Sequence, residues 1–197
     1  MKSSSKYSEF IENLQAGKIC LFETDTVVGI GCKTIHEGKI NTNIEKIFNI
    51  KKRNSSKTFP WLISSEIMLN EYATNISNYA QNLINEKWPG ATTLIFEAKD
   101  RVPEEFSVKV DDKTRSLAFR IPDCEELINA IDFVSCPIAT TSANISGNRP
   151  VFDINDVDNN VLEQVDFIFT KHFHKSKNKK ASQIISCLEK DPKILRS

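Results

Sequence analysis

No apolar run in this chain approaches the roughly 18 residues that a membrane span requires. The polar segment from Met1 to Phe10 has no hydrophobic stretch behind its lysines, so no secretory leader is expected either. Glycine is scarce, at 6 residues, and neither a glycine-rich dinucleotide fingerprint nor a P-loop is present. The five cysteines (Cys20, Cys32, Cys124, Cys136 and Cys187) form no C-x-x-C pair. His36, His172 and His174 are not spaced with them as a metal knuckle requires, so no metal site is expected. Scattered cysteines in odd number fit neutral thiols in a reducing compartment, and the chain reads as soluble and cytoplasmic. Net charge is also lacking: Lys plus Arg and Asp plus Glu both number 26. A protein living mainly on nucleic-acid binding would be more basic, although a balanced total leaves room for a local basic cleft.

What is present suits one ordinary domain spanning 1–197: 40% hydrophobic and 26% charged residues in a chain long enough to bury its own core. Tyr7, Phe10, Ile11 and Leu14 fall at helical spacing, with Gly17 as a stop. Ile19 to Phe22 reads as a buried strand, followed by the polar Glu23-Thr24-Asp25-Thr26. Ile44, Ile47, Phe48 and Ile50 predict a second helix, ending in Lys51-Lys52-Arg53. Phe59 to Ile63 is a strand, and Ile76, Tyr79, Ala80, Leu83 and Ile84 mark a helix stopped by Pro89-Gly90. Thr92 to Phe96, Ser116 to Ile121, Pro137 to Thr141, Val165 to Phe169 and Ile184 to Cys187 read as strands, and Leu127, Ile128 and Ile131 as a short helix. The pattern predicts an α/β or α+β fold with a mixed twisted sheet. Residues 171–180, with five lysines, read as a solvated loop or as a lid over an anion.

Three polar clusters follow or end apolar elements. In the first, Thr24 and Thr26 would share a side of an extended chain, and Gly29 and Gly31 would allow close backbone approach. A structural turn explains the same residues. In the second, Lys51, Arg53 and Lys57 offer two point charges and a planar fork that suit a polyphosphate. Cations closing a helix by its dipole are the plainer explanation. In the third, Thr140 to Gly147 is rich in hydroxyl and amide groups directly after a strand. Ligands gather at strand ends in mixed α/β sheets, while helix caps and Asx turns use the same residue types. Arg120, inside apolar Leu117 to Ile121, needs an anionic partner if it is buried.

Taken in order, these segments resemble the YrdC-like threonylcarbamoyl-adenylate synthases, from about Ile19 to Arg196. The likeness rests on six pieces: Phe22 to Cys32, the K-x-R of Lys51-Lys52-Arg53, Trp88 to Leu94, Phe119-Arg120-Ile121-Pro122, Thr141 to Gly147 with its S-x-N, and the endings Ala181 to Ile185 and Lys193 to Arg196. The resemblance implies an open twisted sheet with flanking helices and a concave, basic cavity. It implies the joining of L-threonine and bicarbonate or CO2 to the AMP part of ATP, with release of pyrophosphate. The product would serve the threonylcarbamoyl modification of adenosine 37 in tRNAs reading ANN codons, through downstream threonylcarbamoyl transferase proteins.

By the same resemblance, Thr26, Arg120, Thr140 and Ser182 would contact threonine. Arg53, Lys57, Ser116, Ser142, Asn144 and Arg196 would hold ATP, and Lys51 with Arg53 would stabilise developing charge. Mg2+ would arrive with the nucleotide, with Asp25 a candidate for helping it. Departures from the family pattern include Glu23, Asn54 and Ala91 at frequent prolines and Val28 at a frequent tyrosine. Arg196, one residue before Ser197, is expected on a fraying terminus. A binding module for tRNA or double-stranded RNA, and a carbamoyl transferase using carbamoyl phosphate, are the competing expectations.

Overall fold

The computed structural model describes residues 2–4, 6–52, 58–170, 180–189 and 192–197. The chain opens with strand β1 (Lys2–Ser4) and helix α1 (Tyr7–Gln15), which buries Phe10 and Leu14. Gly17 ends that helix region at φ +69°, where a Cβ would lie 2.8 Å from Cγ of His36. Then come β2 (Cys20–Phe22), β3 (Gly29–Lys33), the small β4 (Ile35–His36) and β5 (Lys39–Ile40), and α2 (Asn43–Ile50). Buried Ile44, Ile47 and Ile50 give α2 its apolar stripe. The middle holds β6 (Trp61–Leu62), α3 (Glu66–Tyr72), β7 (Ala73–Thr74), α4 (Asn78–Lys87), β8 (Thr92–Ala98), β9 (Val108–Lys109) and β10 (Arg115–Arg120). The last third holds α5 (Glu125–Val134), β11 (Ile138–Ser142), α6 (Asn159–Leu162), β12 (Phe167–Phe169), β13 (Gln183–Ser186) and β14 (Lys193–Arg196).

Among the described residues one mixed sheet orders its strands β1-β12-β2-β3-β11-β6-β10-β8-β13-β14, with β7 beside β8 and β9 beside β10. The expected mixed α/β architecture is therefore present. Several elements were not anticipated. The β3 strand reads poorly because Gly29 and Gly31 dilute its apolar signal, and β14 has only Ile194 and Leu195 between two cations. Helix α3 is short and carries only Leu69 fully into the core. Helix α4 begins at Asn78 rather than Ile76 because the Ser77 hydroxyl accepts from the Ala80 N–H and caps it there.

Pairing register decides what each face of the sheet does. Opposed residues share a face and residues two apart repeat it. The pairs Arg120–Leu62, Leu62–Ile138, Ala118–Ile95, Thr140–Gly31, Ser142–Gly29 and Thr93–Ile184 are in register. One face thus carries Leu21, Ile30, Trp61, Leu94, Phe96, Leu117, Phe119, Ala139 and Ile185, and it forms the larger core. Trp61 lies edge-on to Tyr72, Phe106 and Phe119 there. The opposite face divides. Toward β2 and β12 it is covered by α1 and α5 in a second core of Phe10, Phe22, Leu127, Ile131, Phe167 and Phe169. Toward β10, β8 and β13 it presents half-buried Ile95, Glu97, Ala118, Ser142, Ile184 and Ser186.

Candidate functional site

Among the described residues, several predicted site residues lie on that open half-face, with Arg120 and Ser142 the last residues of β10 and β11 and Ser182 immediately before β13. Period-two alternation brings Ser116 and Arg120 from β10, Thr140 and Ser142 from β11, and Thr93 from β8 onto one side. Gly31 is required beneath them. A Cβ there would stand 2.6 Å from the Ala139 carbonyl and 2.7 Å from Oγ1 of Thr140.

Arg120, 5% exposed, is the centre of the site. Its Nε donates to the Gly90 carbonyl (2.8 Å), its Nη1 to Oγ1 of Thr26 (2.8 Å) and its Nη2 to Oδ1 of Asp25 (2.5 Å). Burial lowers the guanidinium's pKa from its ordinary value, and the Asp25 charge pulls it back up. The segment that supplies Asp25 and Thr26 is a bend, not the extended chain first expected. Oγ1 of Thr24 accepts from the Thr26 and Val27 N–H groups, donates to the Val27 carbonyl and lies 3.1 Å from Oγ1 of Thr26. The Val28 carbonyl accepts from the Ala143 N–H, so this bend lies against the turn after β11.

Arg196 stands beside this group. Its Nε and Nη2 donate to the Ser182 carbonyl, at 2.8 and 2.6 Å, and Nη2 also meets the Ser182 hydroxyl at 3.1 Å. That hydroxyl is 2.9 Å from Oγ1 of Thr93. Burial and then the neighbouring Arg120 charge lower the Arg196 pKa. The expected frayed terminus is corrected: Arg196 lies within β14, paired opposite Ile184.

Lys51 is 2% exposed and directs its ammonium to the carbonyls of Ser142 and Asn144, the latter at 2.5 Å. The Lys51 carbonyl in turn accepts from the Ser146 N–H. The K-x-R and S-x-N segments are thereby joined, with Lys51 bracing the turn from inside. Asn144 donates from Nδ2 to the carbonyls of Ile145 and Asn148, and its buried Oδ1 has no hydrogen-bond partner among the described residues. The Ser116 hydroxyl contacts the Val108 carbonyl at 3.4 Å, and that of Thr140 the Ile138 carbonyl at 3.3 Å. Arg53 and Lys57 lie outside the described residues, as do residues 171–179 of the lysine-rich segment.

The structure places Asp25 against Arg120, which takes its Oδ1. Among the described residues, no three His, Cys, Asp or Glu side chains are grouped to hold a metal ion. All five cysteines are free thiols, and burial raises those of Cys124 and Cys187 to about 12 and about 11. A surface pocket of about 380 Å³, lined by Glu104, Asp111, Asp112, Lys113 and Arg115 among others, contains none of the predicted site residues. No helix among the described residues is long and apolar enough to cross a membrane. Sequence reasoning missed Thr93, Gly90 and the part played by Asp25. Thr93 looks like an ordinary β-branched strand residue, and Gly90 contributes only a carbonyl.

A family model described as Telomere recombination, covering the Sua5, YciO and YrdC proteins, matches residues 12–197. A relative in Methanocaldococcus jannaschii, provisionally named a threonylcarbamoyl-AMP synthase, is 31% identical over 191 residues, 96% of this chain and 84% of that one. The threonylcarbamoyl-AMP synthase of Escherichia coli K12 is 26% identical over 149 residues, 75% of this chain and 74% of that protein. Among solved structures, Pyrococcus abyssi Sua5 complexed with L-threonine aligns with a TM-score of 0.84 at 26% identity, over 99% of this chain and 56% of that one. The chain thus spans a little over half of that Sua5. Escherichia coli YciO shares the fold at a TM-score of 0.81 and 19% identity, over 100% of this chain and 93% of that one.

Proposed function

The chain belongs to the Sua5/YciO/YrdC family, and from that premise we propose that it is a threonylcarbamoyl-AMP synthase, a nucleotidyltransferase acting as one domain over 1–197. Its substrates are L-threonine, bicarbonate or CO2, and ATP. Its products are threonylcarbamoyl-AMP and pyrophosphate, made in the cytoplasm for position 37 of tRNAs reading ANN codons. Downstream transferase proteins would carry the group to tRNA. The observation that carries the reading is the pair of guanidinium groups on a half-face that no helix among the described residues covers. Arg120 is held in place by Gly90, Thr26 and Asp25, and Arg196 by Ser182.

Chemistry assigns the roles. A planar fork suits the threonine carboxylate, so Arg120 takes that end, with hydroxyls of Thr26, Thr140 and Ser182 around it. The deprotonated threonine amine captures CO2 as a carbamate. A carbamate oxygen then attacks the α-phosphorus, and the bond to the bridging oxygen of pyrophosphate breaks. No covalent enzyme intermediate is needed, and the protein acts by position and charge. Lys51 brings a buried positive charge to the turn that would receive ATP, with half-buried Ser142 and Asn144 on that turn and Ser116 and Arg196 on the open half-face. Arg53 and Lys57 would complete the phosphate side. Mg2+ would be carried by the nucleotide's own phosphate oxygens, since Asp25 is committed to Arg120, and no step here is routed through it.

Pyrophosphate release from ATP, measured with and without L-threonine and bicarbonate, tests the reading. Release that requires both and collapses in Arg53→Ala supports it. Release indifferent to threonine, or none at high enzyme concentration, removes it.

A further inference from the structure

We infer that Asp25 is a positioning residue for threonine recognition, fixing the Arg120 guanidinium so that its remaining N–H groups meet a carboxylate. The inference rests on the proposed synthase reading and deepens it. An arginine has five N–H donors in a fixed fork. Three are used here, each by a different kind of acceptor: the Gly90 carbonyl, the Thr26 hydroxyl and the Asp25 carboxylate. Among the described residues that leaves one N–H on Nη1 and one on Nη2. Four single bonds connect a guanidinium to its backbone, and such a side chain loses considerable rotamer freedom when it binds. Three anchors settle that freedom before the ligand arrives.

Asp25 does more than anchor. The Asp25 and Arg120 side chains are 9% and 7% exposed, a setting in which a lone charge is expensive. A second cation, Arg196, stands close enough for the Arg120 charge to disfavour its own. The carboxylate of Asp25 compensates the Arg120 charge, so that two guanidinium groups can stand on one half-face. The net positive charge offered to a ligand then comes from Arg196, while Arg120 contributes directed donors. The bend that carries Asp25 is tied by Oγ1 of Thr24 to two N–H groups and one carbonyl of the same segment. Thr24 therefore sets where Asp25 stands without touching Arg120.

The test uses the full chain and the variants Asp25→Asn, Asp25→Glu and Thr24→Ala. L-threonine binding is read by calorimetry without ATP, alongside melting temperature and the separate KM values for threonine and ATP. Asp25→Asn should weaken threonine binding by about tenfold or more, the scale of one charge-assisted contact. The KM for ATP should stay within about twofold, and Asp25→Glu should recover part of the loss. Thr24→Ala should raise the threonine Kd several-fold, and it decides the matter if Asp25→Asn does not fold. Wild-type threonine affinity in the folded variants overturns the inference and leaves the synthase reading intact. So does an equal rise in both KM values with a collapsed melting temperature, which is the mark of a scaffold residue. A wild-type chain that binds no threonine removes both.

Discussion

One face of the sheet is put to two uses. Near β2 and β12 it is sealed by α1 and α5, with Phe10 stacked on Phe169 at 4.7 Å between ring centroids and tilted against Phe22 at 5.5 Å. Near β10, β8 and β13 the same alternation of side chains presents half-buried Ile95, Ala118, Ser142, Ile184 and Ser186 beside Arg120 and Thr93. The backbone is similar in the two halves. Residue size and polarity differ. Large aromatic residues draw a helix down onto the sheet by the area they bury, whereas glycine, alanine, serine and threonine give a covering helix little to bury. The floor of the site offers a covering helix only Ile95 and Ile184 among small and polar residues, and its buried charges are paired or bound to carbonyls.

Substitutions can break this division at either end. Arg120→Leu should have the largest effect, because it strikes both folding and function. It leaves Asp25 as a buried carboxylate without its cation, a defect of about 3–5 kcal/mol, and it should abolish threonine-dependent pyrophosphate release. Chemical denaturation and the release assay measure the two losses separately. Phe10→Ala, in the sealed half, should cost a comparable 3–5 kcal/mol or so by leaving a cavity among Phe22, Phe167 and Phe169. Turnover per folded molecule should be unchanged, which an active-site titration under stabilising conditions would check. Lys51→Met should cost about 2–3 kcal/mol by leaving the Ser142 and Asn144 carbonyls without their charged donor. Its kinetic signature should be a raised KM for ATP with threonine binding retained.

The two halves were not equally legible in the sequence. The sealed half announces itself: Phe10 and Leu14 at helical spacing and the apolar run at Cys20, Leu21 and Phe22 carry periodic signals. The open half is legible only as chemistry. Ser116, Arg120, Thr140 and Ser142 stand out by residue type, yet nothing in their spacing says that β10 and β11 bring them to one face. That depends on the intervening β6, whose two paired residues set the register between them. The pairing of Asp25 was hidden for a related reason. A carboxylate beside threonines gives no sign of an arginine 95 residues away. Gly90 is harder still, since a main-chain carbonyl leaves no mark in the sequence. Lys51 was identified by its charge, but its burial against the turn after β11 is a tertiary fact.

The smallest predicted effect belongs to Tyr7, at the edge of the sealed half, and pH gives it a distinctive sign. Its hydroxyl donates to the Glu126 carbonyl at 2.7 Å, pinning the start of α1 to α5. Burial, and then the Glu126 charge, raise the phenol from 10.0 to about 12. A group whose folded pKa lies above its unfolded value contributes stability that is fully present below the unfolded value and is lost as pH rises through the folded one. Wild type should therefore exceed Tyr7→Phe by about 1 kcal/mol near pH 8, the worth of one neutral hydrogen bond. That margin should shrink as pH rises from 10 toward 12, because only the wild-type unfolded chain gains charge at this position. A buried thiol such as Cys187 titrates in the same range but does so in both proteins and cancels in the difference, whereas Cys124 adds to the Tyr7 shift. A margin that stays constant from pH 8 to 12 would mean that the phenol is not held by α5, and that the seal over this half rests on its aromatic rings alone.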